Sequence, residues 1–172
     1  IMPSLVGSEM CIRDSIRPPL AGVEPAIEPP EVDEGAILRT VRGKSPEDQV
    51  CALAHAKATA IASRHLTSVH PEGDNLTPRV VIGADSMLYL DGELQGKPHT
   101  VEATIRRWTN QRGKTARLIT GHCIINLDTT ATDEDTFVRA ASTTVHYAHA
   151  SDADIRAYAN SGEPLNLSLI HI

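Results

Sequence analysis

The stretch from Arg79 to Pro98 constrains the fold more than any other part of this chain. Its first four residues, Arg79 to Ile82, are mostly β-branched and predict a buried strand that ends at Gly83. The apolar run from Met87 to Leu90 predicts a second strand, and the Asp91-Gly92 pair directly after it is a strong signal for a tight hairpin turn. The stretch therefore predicts sheet structure near the middle of the chain.

Asp85 is the candidate functional residue in this stretch, because it closely follows the glycine that ends the first predicted strand. The ends of buried strands are where α/β folds place their sites. An ordinary turn aspartate fits the same spacing, so the pattern by itself leaves both interpretations open. Ser86 comes directly after Asp85 and would lie at the same place in the fold.

The other segments predict helices and strands around this sheet. Ser45 is a plausible N-cap with Pro46 at the first helical position, so we expect a helix that runs to about Ser63. Four further elements are expected: a helix from Thr100 to about Gly113, strands at Thr115 to Leu127 and Phe137 to Ala148, and a helix from Asp152 to Asn160 that is capped by Ser151 and closed by Gly162. His65 to Pro78 and Asp128 to Asp135 are predicted to be loops. This mixture predicts one α/β layer structure.

Composition excludes several classes of protein. The chain has 172 residues, of which 41% are hydrophobic, and this is enough for one domain with a real core. Its net charge is −6 and it has no basic run, so we do not expect it to bind nucleic acid. No apolar run is long enough to span a membrane, and Cys11, Cys51 and Cys123 lack metal-site spacing. We therefore expect a cytoplasmic protein without nucleic-acid or membrane partners.

The two ends of the chain have the signature of a sequencing-library adaptor translated by mistake. Met10 to Ser15 can be encoded by ATGTGTATAAGAGACAG, and the reverse complement of that string encodes Leu-Ser-Leu-Ile-His-Ile, which is Leu167 to Ile172. Segments of this kind are excluded from fold reasoning. We therefore expect residues 1–15 and 167–172 to be foreign, and residues 16–166 to form a single domain that is truncated on both sides.

Two lysines could serve a site around Asp85. Lys57 lies four residues after Leu53 and four before Ile61, on the apolar stripe of its predicted helix, where a lysine must snorkel, pair or serve a site. Lys97 follows the predicted hairpin in a stiff Gly-Lys-Pro turn, and a fixed lysine beside a carboxylate suits phosphate binding. Lys57 could equally well snorkel at the edge of the stripe, and Lys97 could equally well be an ordinary surface residue of a turn.

An acidic cluster lies earlier in the chain, at Glu31, Asp33 and Glu34, on a segment predicted to be a loop or a strand end. Hard cations such as Mg²⁺ and Mn²⁺ prefer carboxylate oxygens as ligands. Asp85 with Asp33 or Glu34 could supply them. A solvated acidic loop accounts for the same residues, so both interpretations stay open.

Taken in series, these motifs resemble the Maf family of nucleoside triphosphate pyrophosphatases. The central motif of that family is Gly-Ala/Cys-Asp-Thr/Ser, a hydrophobic strand, Asp-Gly-Glu and then Gly-Lys-Pro, and here it occupies residues 83–98. Four further family-like pieces occur in the family's order: Glu31 to Glu34, Ala54 to Ala58, Thr120 to Cys123 and Ser161 to Leu165. The Asp85-Ser86 and His122-Cys123 variants resemble those of actinobacterial members.

The resemblance implies a mixed, largely antiparallel sheet flanked by helices. It also implies a hydrolase acting on acid anhydrides, a house-cleaning enzyme that converts a nucleoside triphosphate to the monophosphate and pyrophosphate, with non-standard or pyrimidine nucleotides as substrates. Asp85 would be the catalytic acid or base, and Lys57, Lys97 and Ser86 would bind the substrate.

A divalent cation, Mg²⁺ or Mn²⁺, is the cofactor that the resemblance implies. Asp85 and Glu34 would hold it, with Asp33 as the competing ligand. Family habit also implies a homodimer. The alternatives are a non-catalytic nucleotide-binding regulator of septum formation and an inactive truncated fragment.

The chain departs from the family pattern at both ends. Members begin with a strand and a Ser-x-Ser-Pro-Arg-Arg-like phosphate loop, where this chain has Ile16-Arg17-Pro18-Pro19. Members also continue past Gly-Glu-Pro with a Gly-rich segment that carries a glutamine, where this chain has Leu167 onward. We therefore expect part of the phosphate site to be missing from this chain.

Overall fold

The computed structural model describes residues 3–6, 26–67, 80–127 and 136–161. Six strands and four helices lie within these ranges. In chain order they are β1 (Pro3–Val6), β2 (Ala26–Ile27), α1 (Glu34–Thr40), α2 (Pro46–Thr67), β3 (Val80–Leu90), β4 (Glu93–Gln95), α3 (Val101–Gln111), β5 (Thr115–Asn126), β6 (Thr136–His146) and α4 (Asp152–Asn160). The predicted α/β class is therefore confirmed.

The strands form one mixed sheet. Its order is β2-β1-β3-β5-β6, and β4 pairs with β3 off this path. Strand β1 runs parallel to both of its neighbours, whereas β3 and β4 are antiparallel. At the junction of β5 and β6, the Tyr147 N–H donates to the Lys114 carbonyl at 2.9 Å and the Gly113 N–H donates to the Ala148 carbonyl at 3.2 Å. Residue numbers rise along one segment while they fall along the other, which is the pattern of an antiparallel pair.

Strand β3 corrects one prediction from the sequence. The two separate strands expected around Gly83 are wrong, because β3 is continuous over its eleven residues and Asp85 lies in its middle. Gly83 marks a close approach of helix and strand instead of a strand end, as glycine within a strand often does. A Cβ at this position would lie 2.5 Å from the Ala54 carbonyl oxygen and 2.8 Å from the Ala58 Cβ, both on α2.

The turn after β3 confirms the hairpin prediction. Leu90 pairs with Glu93 across the turn, so Asp91 and Gly92 are its two central residues. Their φ angles are +51° and +86°. Two central residues with positive φ are the requirement of a type I′ turn, which matches the twist of the strands it joins.

The predicted start of α2 is also confirmed. The Ser45 hydroxyl accepts a hydrogen bond from the Asp48 N–H at 3.1 Å and donates to the Asp48 carboxylate at 2.6 Å. The helix ends at Thr67 and not near Ser63, so the start of the loop expected from His65 is wrong, while residues 68–78 of that loop lie outside the described residues.

The predictions for α3 and α4 are close to the observed helices. The Thr100 side chain accepts from the Ala103 N–H, and Ser151 and Asp154 form a reciprocal capping box. Gly162, expected to close α4, lies outside the described residues.

The chain divides into two compact units. Among the described residues, the first unit comprises those up to residue 85 and those within 120–141, and the second comprises those within 86–119 and 142–161. The predicted foreign ends and the single domain between them stay predictions. Among the described residues, no helix is long and apolar enough to cross a membrane.

Each unit has its own core. In the first unit, α2 packs on β3 and β5 through small and medium side chains: Ala54, Ala58, Ile61, Ala62, Val81, Cys123 and Ile125. In the second unit, Leu88, Leu90 and Ala116 form a cluster. The rings of Trp108 and Tyr158 also pack there, with centroids 5.1 Å apart.

Candidate functional site

Three charged side chains of the first unit meet at one nitrogen atom. The Lys57 Nζ donates a hydrogen bond to Asp85 Oδ1 and lies 2.8 Å from Glu34 Oε1. The lysine side chain is 4% exposed and that of Asp85 is 12% exposed, whereas Glu34 is 49% exposed. A buried cation is therefore balanced by one carboxylate inside the protein and one that reaches it from the surface.

The packing of α2 explains how Lys57 comes to Asp85. Leu53 and Ile61, one turn away on either side, are fully buried, so the lysine shares the face of the helix that packs on the sheet. Gly83 lets the helix backbone approach β3 closely, and Asp85 is two residues further along the same strand. Because alternate residues of a strand face the same side, Gly83 and Asp85 both face the helix.

Glu34 enters the cluster through a helix that the sequence did not predict. The Asp33 carboxylate accepts the Ala36 N–H at 2.8 Å and caps α1, which places Glu34 in the first helical turn. The signal was present, because aspartate is a preferred N-cap and an acid is favoured in the first turn. The expectation that these acids lie on a loop or a strand end is thus wrong for Glu34.

The Lys57 ammonium is held in its charged form. Burial by itself would lower the pKa of Lys57, but the charge of Asp85 and the hydrogen bonds to Asp85 and Glu34 outweigh it, so the pKa is raised above its ordinary value. The cluster therefore keeps the lysine protonated at neutral pH. A lysine in this state can hold two carboxylates in place, and it cannot act as a base.

The two other residues predicted to bind substrate lie in the second unit. Ser86 follows Asp85 in β3 and is half-buried. Lys97 lies between β4 and α3, is half-buried, and forms no ion pair with another described residue. Arg107 on α3 donates a hydrogen bond from Nη1 to the Gly96 carbonyl directly before this lysine.

Comparison with known proteins shows the family of the chain. Residues 12–168 match the sequence profile of the family described as Maf-like protein. The chain belongs to this family. The nucleoside triphosphate pyrophosphatase of Corynebacterium diphtheriae is 56% identical over 145 residues, which cover 84% of this chain and 65% of that protein.

Two further relatives carry the same name. The nucleoside triphosphate pyrophosphatase of Corynebacterium aurimucosum is 55% identical over 145 residues, or 84% of this chain and 65% of that protein. The one from Mycobacterium sp. (strain JLS) is 43% identical over 150 residues, or 86% and 68%. The Maf-like chain thus spans just under two thirds of the length of its corynebacterial relatives.

The described part of the Maf-like chain contains no group of three or more histidine, cysteine or acidic side chains that could hold a metal ion. Asp85 and Glu34 do converge, because both contact the Lys57 Nζ. Mg²⁺ is commonly held by one or two carboxylates together with water and substrate phosphates. The pair therefore fits a cation that takes its other ligands from a phosphate substrate, and Asp33 fits less well because its carboxylate caps α1.

Sequence reasoning missed the residues that shape the chain around Lys97. Gln111 donates from Nε2 to Gln95 Oε1 at 3.1 Å, and both side chains are buried. Together with the Arg107 contact, this bond fixes β4 and Gly96 onto α3. Polar residues on a helix carry no sequence signal that tells a buried partner from a solvated one, so only the structure reveals this support.

Proposed function

We propose that this chain carries the catalytic cluster of a nucleoside triphosphate pyrophosphatase. The supporting observation is the buried Lys57 that joins Asp85 and Glu34, within the motif region by which the chain matches its family. The names of the relatives support the same activity. The substrate is a nucleoside triphosphate, and non-standard or pyrimidine nucleotides remain the proposed class.

Asp85 orients a water molecule and accepts its proton. The water oxygen attacks the α-phosphorus, a new P–O bond forms there, and the bond from that phosphorus to the bridging oxygen of the β-phosphate breaks. Pyrophosphate leaves with the electron pair of that bond. An acid with a firmly held carboxylate is suited to orienting the water, because reaction depends strongly on the placement of the attacking group.

Lys57 has two roles in this proposal. It holds Asp85 and Glu34 in fixed positions, and a remaining N–H donor can reach a phosphate oxygen as charge moves toward the leaving group. Lys97 supplies a second positive charge from the Gly-Lys-Pro turn, and Ser86 contacts the nucleotide. Most of the rate enhancement then comes from charge stabilisation and in-line positioning.

Mg²⁺ or Mn²⁺ is the proposed cofactor, held by Asp85 and Glu34 in preference to Asp33, and when bound it would neutralise phosphate charge. We also propose that the reaction takes place in the cytoplasm, where nucleoside triphosphates are made, and that the protein is a homodimer. Neither assignment affects the role of the cluster.

Pyrophosphate release tests the proposal. The 172-residue chain, and a chimera that adds the terminal segments of the Corynebacterium diphtheriae relative, are assayed with Mg²⁺ or Mn²⁺ across a panel of standard and non-standard triphosphates. We expect turnover by the chimera, and Asp85→Asn should abolish it while nucleotide binding is retained. Glu102→Gln, at an exposed acid on α3, is the matched control. Nucleotide binding without turnover in the chimera would favour the regulator of septum formation instead.

A further inference from the structure

Glu34 is the least secured member of the cluster. Its side chain is about half exposed, and no residue of the short helix α1 that carries it is buried. Helix α1 packs against α2, and the chain that leads into α1 is a second restraint on the position of Glu34. Six residues, Glu28 to Asp33, connect β2 to this helix.

Two adjacent residues near the end of α2 hold the beginning of that connection. His65 Nε2 lies 2.7 Å from Glu28 Oε1, and both side chains are largely buried. Arg64 donates from Nη1 to the Pro29 carbonyl at 3.3 Å, and its Nη2 lies 3.8 Å from Glu31 Oε2. We name these contacts the Arg64–His65 clasp.

Helix α2 carries one residue of the cluster, Lys57, and both residues of the clasp. Lys57 and His65 are eight residues apart, which corresponds to about 12 Å along an α-helix. Helix α2 thus contacts the connecting segment at both ends: His65 contacts Glu28 at its beginning, and Lys57 contacts Glu34 directly after its end. Pro29 and Pro30 restrict the backbone between these points, so a displacement at the clasp is passed on toward α1.

We propose that Arg64 and His65 are positioning residues, which fix Glu34 on Lys57 by holding the segment from Glu28 to Glu31 against α2. The inference rests on the proposed function insofar as the cluster serves catalysis. The contacts described for the two residues are with Glu28, Pro29 and Glu31, and neither residue lies in the motifs that resemble the Maf family. A clasp that only added stability would leave the environment of Lys57 unchanged when it is broken.

The test follows the Lys57 ammonium directly, by lysine side-chain NMR titration of the 172-residue chain. We expect His65→Ala to shift the titration of Lys57 in the same direction as Glu34→Gln does, with Arg64→Ala giving a smaller shift. In the Glu34→Gln background, His65→Ala should give no further shift. His65→Gln, which can still donate to Glu28, should restore most of the wild-type titration, and exposed His55→Ala is the matched control on the same helix.

Kinetics on the active chimera provide the second readout. Because small displacements of catalytic groups cost up to about 100-fold in rate, we expect His65→Ala to lower kcat by about 10-fold with little change in KM. The inference is overturned if Glu34→Gln shifts the Lys57 titration and neither clasp variant does. If His65→Ala does not fold, Glu28→Ala, which removes the atom that His65 Nε2 contacts, gives the same comparison. Absence of turnover in the wild type would count against the proposed function alone, since the titration needs no catalysis.

Discussion

Lys57 and Lys97 were predicted to do similar work, yet their surroundings differ completely. Lys57 is buried in the first unit, and two carboxylates balance its charge. Lys97 lies in a turn of the second unit, where the backbone around it is fixed by Arg107 and its own charge has no described ion-pair partner. The difference teaches that the charge of Lys57 is already balanced inside the protein, whereas no described carboxylate balances the charge of Lys97.

Removal of Lys57 should have the largest effect. Lys57→Met leaves Asp85 nearly buried without its cation, and losing one partner of a buried pair costs about 3–5 kcal/mol. Chemical denaturation should show that loss, together with a loss of turnover in the chimera. The double variant Lys57→Met with Asp85→Asn should regain part of the stability. If the denaturation midpoint of Lys57→Met equals that of the wild type, the contrast between the two lysines is wrong.

A methyl group at the helix–strand contact should have the next largest effect. Gly83→Ala would bring a Cβ to 2.5 Å from the Ala54 carbonyl oxygen, and such overpacking costs about 1–3 kcal/mol. Gly121→Ala should behave similarly, because its Cβ would lie 2.6 Å from the Val50 carbonyl oxygen. Gly96→Ala is the matched control, since the nearest atom there is 3.6 Å away. Thermal melts of the three variants would measure the difference.

Lys97→Ala should change binding and leave the fold intact. Loss of one charge-assisted contact to a phosphate costs about 1.5–3 kcal/mol, so KM for the triphosphate should rise about 10-fold or more. The free energy of unfolding should stay within about 0.5 kcal/mol of the wild type, as for most surface changes. A large loss of stability in this variant would show that the two lysines share a structural role.

The pH dependence of stability should give the smallest effect. The pKa of Lys57 is raised in the folded protein from the ordinary value of 10.5. Pairing of its charge therefore adds full stability below the unfolded pKa, and this contribution is lost as the pH rises through the folded pKa. Urea unfolding of the wild type and of Lys57→Met should be measured at pH 8 and above pH 10.5. The difference between their free energies of unfolding should become smaller at the higher pH. A gap that widens would contradict the assignment.

The parts predicted well from the sequence are those in which a local pattern decides the structure. Asp91-Gly92 meets the demand of a type I′ turn for two positive φ angles, and Ser45, Thr100 and Ser151 cap the helices they were expected to cap. Lys57 was recognised because a cation on an apolar stripe needs a partner, and the structure supplies two. The partner Asp85 was also singled out, although its place in the middle of β3 was not.

The parts that were missed depend on contacts between distant segments. A glycine such as Gly83 can end a strand or can allow a helix to pack closely on it, and the sequence is the same in both cases. Only the position of Ala54 in the structure shows that Gly83 has the second role. Helix α1 has only seven residues, none of them buried, and so short a segment cannot show a helical apolar periodicity. His65 and Glu28 are 37 residues apart, so no local rule links them.

The close contact at Gly83 limits how this sequence can evolve. Any larger residue there would require α2 to lift away from β3, and the same helix carries Lys57. Smaller neighbouring side chains could not compensate for such a replacement, because two of the three nearest atoms are backbone atoms of α2, the Ala54 carbonyl oxygen and the Ala58 nitrogen. Glycine at position 83 thus sets how closely the helix that carries Lys57 approaches the strand that carries Asp85, although glycine itself has no side chain in the cluster.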